Sequence, residues 1–173
     1  YLHTEQEIHG IIDSVKPLYK KKIFNGKDNI SFLGFLLVFK ELFIGLTHFQ
    51  DFTFARISPK TFSALKFGRG DKITARATMF LEKGRLLFKK CHRFEIDERG
   101  EPPVWDMGLV QVVRETAVLL DQQPEGCIQC QHGVLVDVED YHGPRQNYRQ
   151  LYCLKGIHDF KDCHLKAESC FKI

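Results

Sequence analysis

A chain of 173 residues with 43% apolar and 27% charged side chains has the size of one ordinary domain, or of one domain with a small appendage, and enough apolar matter for a core. Its longest apolar stretch, Phe32–Phe39, is broken by Gly34 and followed by Lys40 and Glu41, far short of the roughly 20 residues of a membrane helix. The net charge of +3 is bland, and the first 25 residues lack the charged-then-apolar layout of a secretory leader, so an intracellular protein without membrane contact is expected.

In chain order, residues 4–22 admit two readings. Thr4 and Glu7 suit a capped helix carrying Ile8, Ile11, Ile12, Val15 and Leu18, although Pro17 argues against a long uninterrupted one, whereas Gly10 and the paired isoleucines suit a strand over 9–15. Asn25-Gly26-Lys27-Asp28-Asn29 is turn chemistry. From Ile30 to Ile57 the pattern is strand-like, with Phe52, Phe54 and Ile57 alternating against polar neighbours. Ser58-Pro59 closes that strand, and 60–65 has room for one helical turn. Gly70-Asp71 then opens the cleanest alternation in the chain, with Ile73, Ala75, Ala77 and Met79 on one face and Lys72, Thr74, Arg76 and Thr78 on the other. Lys83-Gly84 turns into a strand over 86–96, and 97–103 is a loop. Gly108–Leu120 reads as a further strand, with a helix over 114–121 as the alternative.

The glycine-punctuated strands around Gly70-Asp71-Lys72-Ile73 and Lys83-Gly84 resemble the OB-fold barrels of nucleic-acid binders over residues 30–120. The resemblance implies a mainly β fold: a small antiparallel barrel, OB-like, with few short helices. A hot-dog or ligand-sensing domain that binds a small apolar ligand shares the Gly-Asp opening, but it requires a longer central helix than the sequence offers. The organisation expected is an N-terminal segment over 1–29, a barrel with a basic face over 30–122, and a cysteine-rich module over 123–173.

That basic face is visible in the charge distribution. Residues 56–93 hold eleven Lys and Arg against Asp71 and Glu82, whereas 111–173 hold seven basic and nine acidic side chains. Such asymmetry points to a polyanion. The candidate contacts are Arg56, Arg69, Lys72, Arg76, Arg85, Lys89, Lys90 and Arg93. They are interleaved with Phe52, Phe54, Phe62, Phe67, Phe80, Phe88 and Phe94, a composition suited to single-stranded DNA or RNA, where phosphates meet cations and bases stack on rings. Most of these phenylalanines are equally expected in a core.

Five of the six cysteines lie in the last 47 residues. Cys127-Ile128-Gln129-Cys130 is a knuckle, and Gly133–Val138 and Tyr148–Leu154 would form a hairpin that returns to Cys153. With Cys163 this is the donor set of a four-coordinate Zn²⁺ site, similar in plan to a zinc ribbon but without its second C-x-x-C. His158 and Cys170 are rival fourth ligands, and an iron–sulfur cluster is the alternative cofactor. A closed site of four protein ligands leaves no position for substrate, and no Walker loop, dinucleotide glycine motif or G-x-S-x-G occurs, so nothing points to an enzyme. The reading is a nucleic-acid-binding module with a structural metal. The alternative is a zinc-stapled scaffold in a larger protein complex.

Overall fold

The computed structural model describes residues 1–82 and 84–164. The fold is mainly β: the described residues form nine strands and three short α-helices. They divide into two compact units, which are interleaved in sequence. Unit 1 comprises Tyr1–Val15 and Gly34–Val104; unit 2 comprises Lys16–Leu33 and Trp105–Ile173. Two long strands, β1 (Glu5–Phe24) and β2 (Lys27–Ile44), supply residues to both. Residues 1–15 therefore join the barrel region of the sequence reading, while 105–122 join the cysteine region.

The N-terminal segment is strand, not helix. Pro17 explains part of this choice, because its ring would break a helix but fits extended backbone. Ile8 and Ile12 alternate with exposed residues, and Ser14 to Tyr19 are buried without interruption.

In unit 1, β1 pairs antiparallel with β5 (Lys72–Glu82), and β5 pairs antiparallel with β6 (Arg85–Glu98). β6 runs parallel to β4 (Thr53–Ile57), β4 pairs antiparallel with β2, and β2 pairs with β1, so the pairings form a ring of five strands. The short β3 (Thr47–Phe49) extends the β2 side. The period-two alternation of β5 is realised: Ile73, Ala75, Ala77 and Met79 are all buried, and Lys72 is exposed. Helix α1 (Pro59–Leu65) starts on a Ser58 cap and stacks Phe62 on Phe35 with ring centroids 4.0 Å apart.

The Gly70-Asp71 turn is built around a buried carboxylate. Asp71 accepts hydrogen bonds from the Gly68 and Gly100 amides (2.9 and 2.7 Å) and from Arg99 Nη1 (3.2 Å). Arg99 also donates to the Leu65 and Lys66 carbonyls, satisfying the C-terminal end of α1. Gly100 is required there, since a Cβ would lie 2.3 Å from the Arg69 carbonyl oxygen.

In unit 2, β1 runs parallel to β8 (Gly133–Asp140), which forms an antiparallel hairpin with β9 (Gln146–Cys153). A two-residue strand, β7 (Val118–Leu119), flanks β9. The run expected mainly as strand over 108–120 is instead helix α2 (Met107–Thr116). Asp106 caps it through the Leu109 amide at 2.8 Å, and the i,i+3 pair Val110 and Val113 is buried, so capping and spacing outweigh the β-branched composition. The Tyr19 hydroxyl donates to the Val110 carbonyl, fixing the helix to β1 within this unit. No helix among the described residues is long and apolar enough to cross a membrane.

Candidate metal centre and candidate nucleic-acid interface

The knuckle begins in a short helix, α3 (Glu125–Gln129), which places Cys127 on its last turn. Two tight bonds follow, Cys130 N–H to the Cys127 carbonyl (3.2 Å) and Gly133 N–H to the Cys130 carbonyl (3.1 Å), and the chain enters β8. The His132 amide donates to Cys130 Sγ at 3.4 Å. Gly133 permits the turn: a Cβ there would meet the Cys127 carbonyl oxygen at 2.1 Å. Across the hairpin, Gly133 registers with Cys153, which brings the third sulfur to the base. A 3₁₀ turn, Phe160–Asp162, capped by Asp159, presents Cys163.

Cys127, Cys130, Cys153 and Cys163 line one cavity together with His132, Lys155, Leu120, Ile157 and Phe160. None of the four is in a disulfide. Burial, and then the neighbouring sulfurs of Cys130, Cys163 and Cys153, push the Cys127 thiol up to about 11, against the pull of Lys16. Burial, with Lys155 and Lys16, lowers the pKa of His132, which favours the neutral imidazole. His158 is not among the lining residues; its Nδ1 lies 2.8 Å from the Leu119 carbonyl oxygen. Cys170 lies outside the described residues. Among the described residues no group of three or more Cys, His, Asp or Glu side chains is placed so as to hold a metal ion. Four free thiols around one small apolar cavity, behind a turn whose amide points at sulfur, are a donor set that fits a soft tetrahedral ion.

The residue that sequence reasoning missed here is Lys16. It is fully buried, and its Nζ donates to the carbonyls of Gly133 (2.8 Å), Cys130 (2.9 Å) and Cys127 (3.4 Å). Its signal was present as the one charge in the apolar run from Val15 to Tyr19. Buried lysines are rare enough to mark such a position.

Cys91, the isolated cysteine, belongs to unit 1. Burial pushes its thiol up to about 12, and Sγ faces the Phe88 carbonyl at 3.6 Å. That is the profile of an inert thiol.

The basic residues of unit 1 fall into two groups. Lys72 pairs with Glu98 (3.0 Å), Arg76 with Glu5 (3.1 Å), and Lys89 with Glu82. Glu5 and Glu98 come from outside residues 56–93, which is why a local charge count overstates the free charge. Arg69 is turned to the Asp13 carbonyl at 2.7 Å, and Arg85 lies over the Phe54 ring at 5.4 Å. Arg56 is half-exposed on β4.

Lys90 and Arg93 are different. On β5 the steps Thr74–Arg76 and Arg76–Thr78 cover two residues each, while the facing steps of β6 cover three, Glu95 to His92 and His92 to Lys89. Besides a register shift between Ile96 and Glu98, β6 therefore carries two successive bulges here, and their left-handed residues are Arg93 (φ 52°) and Lys90 (φ 55°). Glycine usually occupies such positions, because a side chain there costs roughly 1–2 kcal/mol. Both side chains are exposed, and neither makes an ion pair among the described residues. The ring residues are mostly core, since Phe54, Phe62, Phe67 and Phe88 are buried, while Phe80 is half-exposed with the Lys89 ammonium 5.2 Å from its centroid.

Compared with known protein families, curated protein sequences and solved structures, the chain shows no match.

Proposed function

We propose that unit 1 is an OB-like nucleic-acid-binding ring that grips single-stranded DNA or RNA along β6, and that the four thiols of unit 2 hold a structural Zn²⁺. The observation that carries the nucleic-acid reading is the pair of bulges on β6. They hold two cations that make no ion pair among the described residues, in strained backbone, and strain of this kind clusters at functional sites. The five-strand ring is compatible with the OB-fold plan, in which the loop joining the fourth and fifth barrel strands contacts oligonucleotides. Here that loop is the turn at Gly84 between β5 and β6, which leads into Arg85, Lys89, Lys90 and Arg93. Lys72 and Arg76, already engaged by carboxylates, take a lesser part.

The test is a titration of the wild-type chain and a Lys90→Gly, Arg93→Gly double variant with a single-stranded oligonucleotide and a duplex at two salt concentrations. The wild type binds the single strand with a steep salt slope, and the variant loses about 1.4 units of it, from about 0.7 per phosphate contact. Because glycine relieves the left-handed strain, the variant melts no lower than the wild type. Salt-insensitive binding, no binding, or an unchanged slope in the variant overturns the reading.

A further inference from the structure

Lys16 deepens the metal reading and rests on it. An ammonium has three N–H donors and no acceptor, and here it meets three carbonyl oxygens of one turn, those of Cys127, Cys130 and Gly133. Two of these residues carry sulfurs that line the cavity, so the cation holds the backbone on which half of the donor set is mounted. A divalent ion with four thiolates carries a net charge of −2, and removing such a charge from water is costly unless an opposite charge is fixed close by. Exchanging one thiolate for the neutral imidazole of His132, which lines the same cavity, would reduce that charge to −1 and weaken its attraction to the ammonium.

We infer that Lys16 is the counter-charge and positioning residue of an all-cysteine centre, selecting Cys127, Cys130, Cys153 and Cys163 over a mixed set that includes His132. The role combines two effects that single substitutions separate. Arginine keeps the charge but cannot reproduce the compact three-donor fit. Methionine keeps much of the volume and removes the charge.

The experiment strips the full chain with a chelator and reloads it with Co²⁺, whose thiolate charge-transfer absorption reports the number of sulfur ligands, and then measures Zn²⁺ affinity by chelator competition. The wild type takes up one ion with a four-thiolate spectrum. Lys16→Met loses ten- to a hundredfold in affinity, the range found for groups that support metal ligands from behind, and moves to a three-thiolate spectrum. Lys16→Arg retains the four-thiolate spectrum. If Lys16→Met fails to fold, His132→Ala decides: unchanged affinity and spectrum support the all-cysteine set, and loss of either overturns it. Lys16→Met with wild-type affinity and four thiolates overturns the role of Lys16 while leaving the metal centre intact. A wild-type chain that takes up neither ion overturns the metal reading itself.

Discussion

Each unit ties its most distinctive turn with one fully buried charge, but the two charges work on different frameworks. In unit 1, Asp71 collects the amides of Gly68 and Gly100 and meets Arg99. The strands it serves already form a ring of pairings and bury Phe35, Leu37, Phe39, Phe54, Ile73, Ala75, Ala77 and Phe88. In unit 2, Lys16 collects carbonyls rather than amides, and the turn it fixes carries two of the four thiols proposed here to hold an ion. On the proposed metal reading, the contrast separates two ways of stabilising a small fold: one by apolar burial with a polar clasp, the other by a polar anchor beside a coordination site.

The largest expected effect tests this difference directly. Cys127→Ser or Cys130→Ser should remove much of a metal-binding free energy on the order of 10 kcal/mol. Hydrogen exchange on the full chain should then show lost protection at Val134–Val138 and Leu151, with protection retained at Ile73–Met79. Uniform loss across both regions would mean that the units do not draw on separate sources of stability. Asp71→Ala should show the converse at smaller scale. It strands two amides and an Arg99 contact, costs about 3 kcal/mol, and lowers protection in unit 1 while metal content stays constant.

Tyr19→Phe sharpens the picture inside unit 2. Burial raises the Tyr19 pKa to about 12 from an ordinary 10, so the folded chain holds this proton more tightly than the unfolded chain does. Its contribution is therefore present in full below about pH 10 and is lost as pH rises toward 12. The variant should cost about 1 kcal/mol near neutrality and lose less stability than the wild type between about pH 9 and pH 11, read from urea midpoints. A wild type whose midpoint does not move in that window contradicts the assignment. Smallest of all, Cys91→Ala should change stability by about 1 kcal/mol or less and leave metal content untouched. In the native wild type, Cys91 should be slow to alkylate.

These outcomes also show what the sequence could reveal. The alternation of β5, the helical turn at α1 and the hairpin after the knuckle follow from local period and turn chemistry, and the structure has them. The choice at residues 4–22 rested on Pro17 and Gly10, which local pattern left undecided and strand pairing settled. Helix α2 is obscured because its valines favour strands, while its Asp106 cap lies just outside residues 108–120. Lys16 and the Arg99 clasp were harder to find, because each depends on partners more than thirty positions away or brought in by another strand. The charge excess over residues 56–93 overstates the free charge for the same reason: Glu5 and Glu98 neutralise part of it from outside the window. The β6 bulges are invisible to composition, since nothing in Lys89-Lys90-Cys91-His92-Arg93-Phe94 resembles the glycine that such backbone normally employs.

The sharing of β1 and β2 has a practical consequence for dissecting the protein. A cut at the loop before Trp105 looks natural in the linear chain, because every knuckle cysteine lies on its far side. The piece beginning at 105 would nevertheless carry the thiols without Lys16 and without the strand that runs beside β8 from Tyr19 to Ile23. Expressed alone, it should be a poor metal binder, and mixing it with the 1–104 piece should restore uptake only by fragment complementation, through capture of a strand supplied in trans. Chromatographic co-elution of the two pieces in the presence of Zn²⁺, and their separation when it is chelated, would turn that shared strand into a metal-controlled switch for split-protein assembly.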